Sequence, residues 1–180
     1  VKRLEPKYGI DYFLKAVKIV REKRPDINLK VRIAGKGTHE LEYKQLAKSL
    51  RIDDIVTWLG FISQPEAAKE WANMDCGIIF SESESFGVSA VEAQAAGIPV
   101  IISDIPGLME ATEPGITSVV VPRRNSVLLA GKIIDLYDNP MQRQIIARKG
   151  RLFTSNTYEL DCCFNLVEKL YNQFVTEKNV

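Results

Sequence analysis

Short apolar runs alternate along this chain with stretches whose apolar positions recur every three or four residues, and that alternation predicts a parallel sheet wrapped by helices. Ile10, Phe13, Leu14, Val17 and Val20 follow helical spacing and stop short of Pro25, which closes a first helix. Leu29 to Ala34 reads as a strand, the turn Gly35-Lys36-Gly37 follows it, and a second helix opens at Thr38. Val56 to Leu59 is the next strand and Pro65 to Asn73 a short helix; Cys76 to Phe80, Pro99 to Ile102 and Ser118 to Val121 supply three more strands. From Asn125 onward the pattern is helical with breaks near Pro140 and Ser155, and the last helix gathers Leu160, Phe164, Val167, Tyr171 and Phe174 on one face. Trp58 and Trp71 fall within apolar patterns and read as core. No repeat, low-complexity tract or linker interrupts the chain, so residues 1–180 are expected to form one α/β domain of the doubly wound, Rossmann-like class.

Composition agrees with that reading: 180 residues, 46% hydrophobic and 26% charged, suffice for a proper core. A formal net charge of +1 gives no electrostatic footprint for nucleic acid. No stretch approaches the roughly 20 apolar residues that span a bilayer, and no signal peptide opens the chain. The three cysteines, Cys76 and the adjacent pair Cys162-Cys163, form neither a disulfide framework nor a metal-ligand pattern, and a reducing cytoplasm suits them. His39, the only histidine, sits in the first turn of a helix and reads as a surface or capping residue, so no metal site is expected.

The chemistry concentrates in SESESFGVSAVEAQAAGIPVIIS. A strand leads through Ser81, Glu82, Ser83 and Glu84 to Phe86-Gly87, and then to a helix of small residues closed by Gly97 and Pro99. Free amides at such a helix start can hold phosphate oxygens. Glu92, a little over one turn inside, leans toward that start and can accept hydroxyl hydrogen bonds, as from a ribose, while Val88, Val91 and Ala95 would face the sheet. Glu84, ahead of the helix, would meet a sugar. Backbone N–H groups near Phe86, Gly87 and Val88 would take the phosphate, and an anion carrying polyols describes a nucleotide sugar. The plain alternative keeps both acids as charges that merely suit the helix dipole.

This segment resembles the signature of the retaining glycosyltransferases of family 4, also called glycosyl transferase group 1. The resemblance runs through VKRLEPKYGID, VRIAGKGTHELEYKQLAKSL, VTWLGFIS, the glutamate region and DIPGLMEATEPGITSVVVP, which is nearly the whole chain. It implies the C-terminal, donor-binding half of a GT-B fold. An N-terminal half carrying most of the acceptor site would precede it, and Val1 to Leu4 reads like a strand entered part-way, so the chain is expected to be a domain fragment with very weak catalysis of its own. The family's basic pair neutralises the donor diphosphate: Arg3 matches its first member, while Tyr8 stands at the usual lysine position with Lys7 one residue earlier, and Lys2 replaces a glycine. Lys7 reads equally as a solvated loop charge. Gly35-Lys36-Gly37 resembles the family's Gly-acid-Gly turn near the nucleotide, with Lys36 in place of the acid; Gly35 is either a ligand contact or a tight turn. Phe61-Ile62 falls where the family makes backbone contacts to the base, and Pro106-Gly107-Leu108-Met109-Glu110 resembles a loop on the sugar side of the cleft.

The resemblance implies transfer of a sugar from a nucleotide diphosphate donor to an acceptor hydroxyl with retention of configuration. No metal or cofactor is implied, there being no Asp-any-Asp motif. The favoured scheme is front-face attack, with Arg3 and the helix start stabilising the leaving phosphate and Glu84 orienting the donor sugar. Acceptors in the family are carbohydrates or lipid-linked sugars, often at the inner membrane face; whether this protein touches a membrane stays open. Two other readings share the pocket: a nucleotide-sugar epimerase half, and a noncatalytic domain that senses or scaffolds.

Overall fold

The computed structural model describes residues 3–177; Val1 and Lys2, half of the expected entering strand, lie outside the described residues, and Arg3 and Leu4, the other half, are not in a strand. Five strands alternate with helices. In chain order they are α1 (Ile10–Lys23), β1 (Val31–Ala34), α2 (Glu40–Ser49), β2 (Val56–Gly60), α3 (Gln64–Ala72), β3 (Gly77–Ile79), α4 (Val88–Ala95), β4 (Val100–Ser103), α5 (Pro106–Glu110), β5 (Ser118–Val121), α6 (Ser126–Asp138), α7 (Pro140–Tyr158) and α8 (Leu160–Glu177). All strand pairing is parallel: β1 lies beside β2, and β3, β4 and β5 form a second sheet in that order. Val100–Ser103 is buried throughout, as the central strand of a sheet covered on both faces must be. Its side chains alternate between layers. Ile101 packs with Val20, Leu129 and Ile146 on the side of α1, α6 and α7, whereas Val100 and Ile102 pack with Trp71, Ala90 and Ala93 on the side of α3 and α4.

The segment Arg3 to Gly9 spans the space between the two sheets. Leu4 N–H donates to Lys36 O beyond the end of β1 (3.1 Å), and Lys7 O accepts from Glu82 N–H beyond the end of β3 (2.7 Å). Leu4 is buried among Leu14, Ile33 and Val56. Gly9 turns the chain into α1 with φ 61°, and a Cβ there would meet the carbonyl of Phe80, its carbon at 3.2 Å.

Several element ends differ from the sequence reading. The second helix opens at Glu40, because Thr38 is held outside it: its N–H (3.3 Å) and hydroxyl (3.0 Å) both donate to the Glu5 carboxylate. Those bonds hold the Glu5 carboxyl below its ordinary range. The C-terminal break falls at Glu159, whose backbone is extended (ψ 143°), and α7 runs unbroken through Ser155, which brings no proline or glycine to stop it. The buried side of α4 is Ser89, Ala90, Ala93 and Gln94, with the alanines packed against Val100 and Ile102 of β4 and Gln94 against Gly150 of α7, whereas Val88 and Ala95 are exposed. Small side chains let α4 lie close to β3, where a Cβ on Gly77 would touch Ala93 and Val100 at 3.3 Å. Trp71 is core, while Trp58 is half-buried at its edge. The apolar residues of α8 share a face as expected, and all five are exposed. Among the described residues no helix is long and apolar enough to cross a membrane.

Candidate functional site

The sequence-predicted residues collect at the C-terminal edge of the parallel strands, where open α/β sheets present their ligand crevice. Three turns that end strands carry them. Gly35 follows β1 with φ 141°, and its N–H donates to Gly60 O (2.7 Å), which joins the ends of β1 and β2. Phe61, just past β2, is 76% exposed, with Ile62 beside it half-buried. The loop after β3 carries Ser81 to Phe86 into α4.

Gly87 caps α4 with φ 94° and is buried; a Cβ there would lie 2.6 Å from Leu108 Cδ2 and 3.3 Å from Gly107 O. That glycine lets the loop drop onto α5 and leaves the first amides of α4 directed out of the sheet edge. Gly107 works from the other side: a Cβ on it would fall 2.8 Å from Ser85 C and closer still to Glu84 O. The backbone carrying Glu84 therefore rests directly on α5, so the Pro106–Glu110 segment forms a helix that seats this loop. Glu84 is half-buried and accepts from Ser81 Oγ (3.0 Å). Phe86 stands edge-on to Tyr158 of α7, ring centres 5.5 Å apart, and the Tyr158 hydroxyl donates to Glu110 O (3.1 Å). Val88 opens α4 and is 58% exposed.

Glu92 lies on the flank of α4 that faces α3. Its Oε2 accepts from the indole N–H of Trp71 (3.3 Å), so one oxygen of this carboxylate is held by the neighbouring helix. Arg3 and Lys7 are exposed on the bridging segment: Arg3 Nη2 lies 3.9 Å from Glu5 Oε1, and the Lys7 ammonium stands over the Tyr8 ring, 5.1 Å from its centre. Ring and ammonium thus occupy neighbouring positions where the family pattern puts a single lysine.

Further contacts between distant segments shape this edge and carried no local signal. The Glu82 carboxylate accepts from the Arg124 guanidinium, whose Nε lies at 2.9 Å, and Arg124 stands in the left-handed region (φ 62°). Asp104 accepts from Arg123 N–H (2.8 Å), and the Ser103 hydroxyl donates to Ser81 O. These contacts draw the loop after β5 over the ends of β3 and β4. Among the described residues, no group of three or more His, Cys, Asp or Glu comes together in a way that could hold a metal ion.

The arrangement is that of a doubly wound α/β domain in which a helix start at the C-terminal edge of the parallel strands carries one carboxylate ahead of it and one on its flank. Residues 1–153 match the family described as glycosyl transferases group 1, and the chain belongs to that family. It is 33% identical over 157 residues to a D-inositol 3-phosphate glycosyltransferase of Pseudarthrobacter chlorophenolicus, a match covering 86% of this chain and 37% of that protein. The fold is that of the C-terminal domain of the group 1 family protein LpcC from Francisella tularensis (TM-score 0.77, 24% identity, 88% of this chain and 83% of that one). It also matches Anabaena HepE solved in complex with UDP and glucose (TM-score 0.84, 22% identity), covering 95% of this chain and 47% of that one. The chain thus spans well under half the length of the curated relative it matches.

Proposed function

We propose that this chain is the donor-binding part of a glycosyltransferase that moves a sugar from a nucleoside diphosphate sugar to an acceptor hydroxyl, with retention of configuration and without a metal ion. The observation that carries this reading is the start of α4: amides capped by a left-handed Gly87, with Glu84 before them and Glu92 behind, at the crevice edge of a parallel sheet. Support also comes from HepE, which shares the fold and was solved with UDP and glucose.

In this reading the amides near Phe86, Gly87 and Val88 hold the distal phosphate, and Arg3 and Lys7, at the mouth of the same edge, supply the positive charge that a metal would otherwise provide. Glu92 accepts the ribose hydroxyls, Glu84 orients the donor sugar, and the backbone at Gly35, Phe61 and Ile62 meets the base. As the glycosidic bond breaks, negative charge grows on the leaving diphosphate. Fixed donors aimed there lower the barrier, because they need no reorganisation when the charge appears. The acceptor would be held by the part of the protein beyond this chain.

Calorimetric titration with UDP, GDP and ADP in the presence of a chelator tests the proposal. One of the three is expected to bind saturably, with a Kd in the micromolar to low millimolar range and no change when Mg2+ replaces the chelator. Binding that appears only with Mg2+ would contradict the metal-free reading, and silence with all three would remove the donor-site reading altogether.

A further inference from the structure

Trp71 is not among the residues assigned a donor contact, yet its indole N–H meets the Glu92 carboxylate at 3.3 Å. Trp71 is 8% exposed and sits near the end of α3, and its ring is wedged between the start of β3 and the flank of α4. A Cβ on Gly77 would lie 3.3 Å from Trp71 Cζ3 and 3.3 Å from Ala93, so the indole occupies space that only small neighbours leave open. In such a slot the ring has little rotational freedom, and its N–H direction is set by packing. The helix that carries it is fixed at both ends. Ser63 and Glu66 close a capping box at its start, the Ser63 N–H donating to Glu66 at 2.7 Å, and Arg32 of β1 grips the adjacent Glu70 through two bonds of 2.6 and 2.7 Å.

We propose that Trp71 is a positioning residue: its indole N–H fixes the rotamer of Glu92 so that the carboxylate is ready to accept the ribose hydroxyls of the donor nucleotide. An ionised carboxylate has two oxygens and about four acceptor directions. Trp71 uses one of them, on Oε2. A single anchoring bond from a rigid donor holds the flexible side chain in one place while leaving the rest of its acceptor capacity for a diol. Without it, Glu92 would have to be ordered at the moment of binding, which weakens affinity. The inference rests on the donor-site reading above and adds the reason this glutamate is preorganised.

The test uses the 180-residue chain, Trp71→Phe, Glu92→Gln and the double variant. Each is titrated with whichever of UDP, GDP or ADP binds the parent, and with the 2′,3′-dideoxy analogue of that nucleotide. Phenylalanine keeps the ring in its slot and removes only the N–H. The expected result is a loss of about 5- to 10-fold in affinity for the ribonucleotide, the size of one ordinary net hydrogen bond, with affinity for the dideoxy analogue unchanged. In the Glu92→Gln background, whose amide oxygen stays within reach of the indole but no longer offers a carboxylate to the ribose, adding Trp71→Phe should cost less affinity than it does in the parent, because the two residues act through one contact. Equal weakening of both ligands would mean that Trp71 serves only the core and would overturn the inference, as would no loss at all. Failure of every nucleotide to bind the parent chain would instead defeat the donor-site reading and take this inference with it.

Discussion

Replacing Gly107 by alanine is expected to lower the affinity for nucleoside diphosphate by ~10-fold or more and stability by about 2 kcal/mol, although no ligand-binding atom is removed. The added methyl would lie 2.8 and 2.9 Å from Ser85 C and O, and nearer still to Glu84 O. These are backbone atoms, so the clash cannot be relieved by turning a side chain. Either the 84–87 loop lifts from α5 or α5 shifts away from β4, and both displace Glu84 relative to the amides of α4. Gly131 offers the opposite case within the same chain. It lies inside α6 with no heavy atom within 4 Å of its added Cβ, so Gly131→Ala should raise stability by roughly 0.5–1 kcal/mol through helix propensity and leave binding untouched. Thermal unfolding and titration of the two variants side by side separate a packing effect at the site from a general intolerance of glycine loss.

Glu92 should respond differently to its two simplest replacements. Glu92→Ala removes the acceptor for the buried Trp71 N–H as well as the proposed ribose contacts, so it should cost about 1–2 kcal/mol of stability and weaken nucleoside diphosphate binding by roughly 30- to 100-fold. Glu92→Gln keeps an amide oxygen in reach of the indole. Its stability should stay within about 0.5 kcal/mol of the parent, while affinity still falls by roughly 10-fold, because a neutral amide is a weaker acceptor for two hydroxyls than a carboxylate. Denaturant unfolding and calorimetry on both variants check the pair. If Glu92→Gln bound as tightly as the parent, Glu92 would have no part in ligand recognition.

The course of the chain was largely legible in its residues. Val100 to Ser103 and Ser118 to Val121 are apolar runs in a doubly covered sheet, where burial on both faces leaves one reading of the pattern. The candidate site was legible in outline, because Gly87 and the two acids lie close together in sequence on one strand-turn-helix unit. What remained hidden depends on contacts between distant segments. Thr38 has good helical context, yet Glu5 holds it out of α2 through a contact 33 residues away. Valines are the larger apolar residues of α4 and suggest its buried stripe, but alanines face the sheet because the close approach of helix and strand leaves room only for small side chains. Trp71 announced itself as core, but nothing in its neighbourhood in sequence showed that its N–H would meet a carboxylate 21 residues further on. The pairing of Glu82 with Arg124, 42 residues apart, was invisible for the same reason.

A crystal structure of the 180-residue chain with its bound nucleoside diphosphate tests the central claim most directly. The account predicts the distal phosphate within about 3 Å of the first amides of α4 at Gly87 and Val88, with both ribose hydroxyls on Glu92 and the Trp71 indole still donating to that carboxylate. A diphosphate lying away from the start of α4, or a ribose turned from Glu92 into solvent, would contradict it.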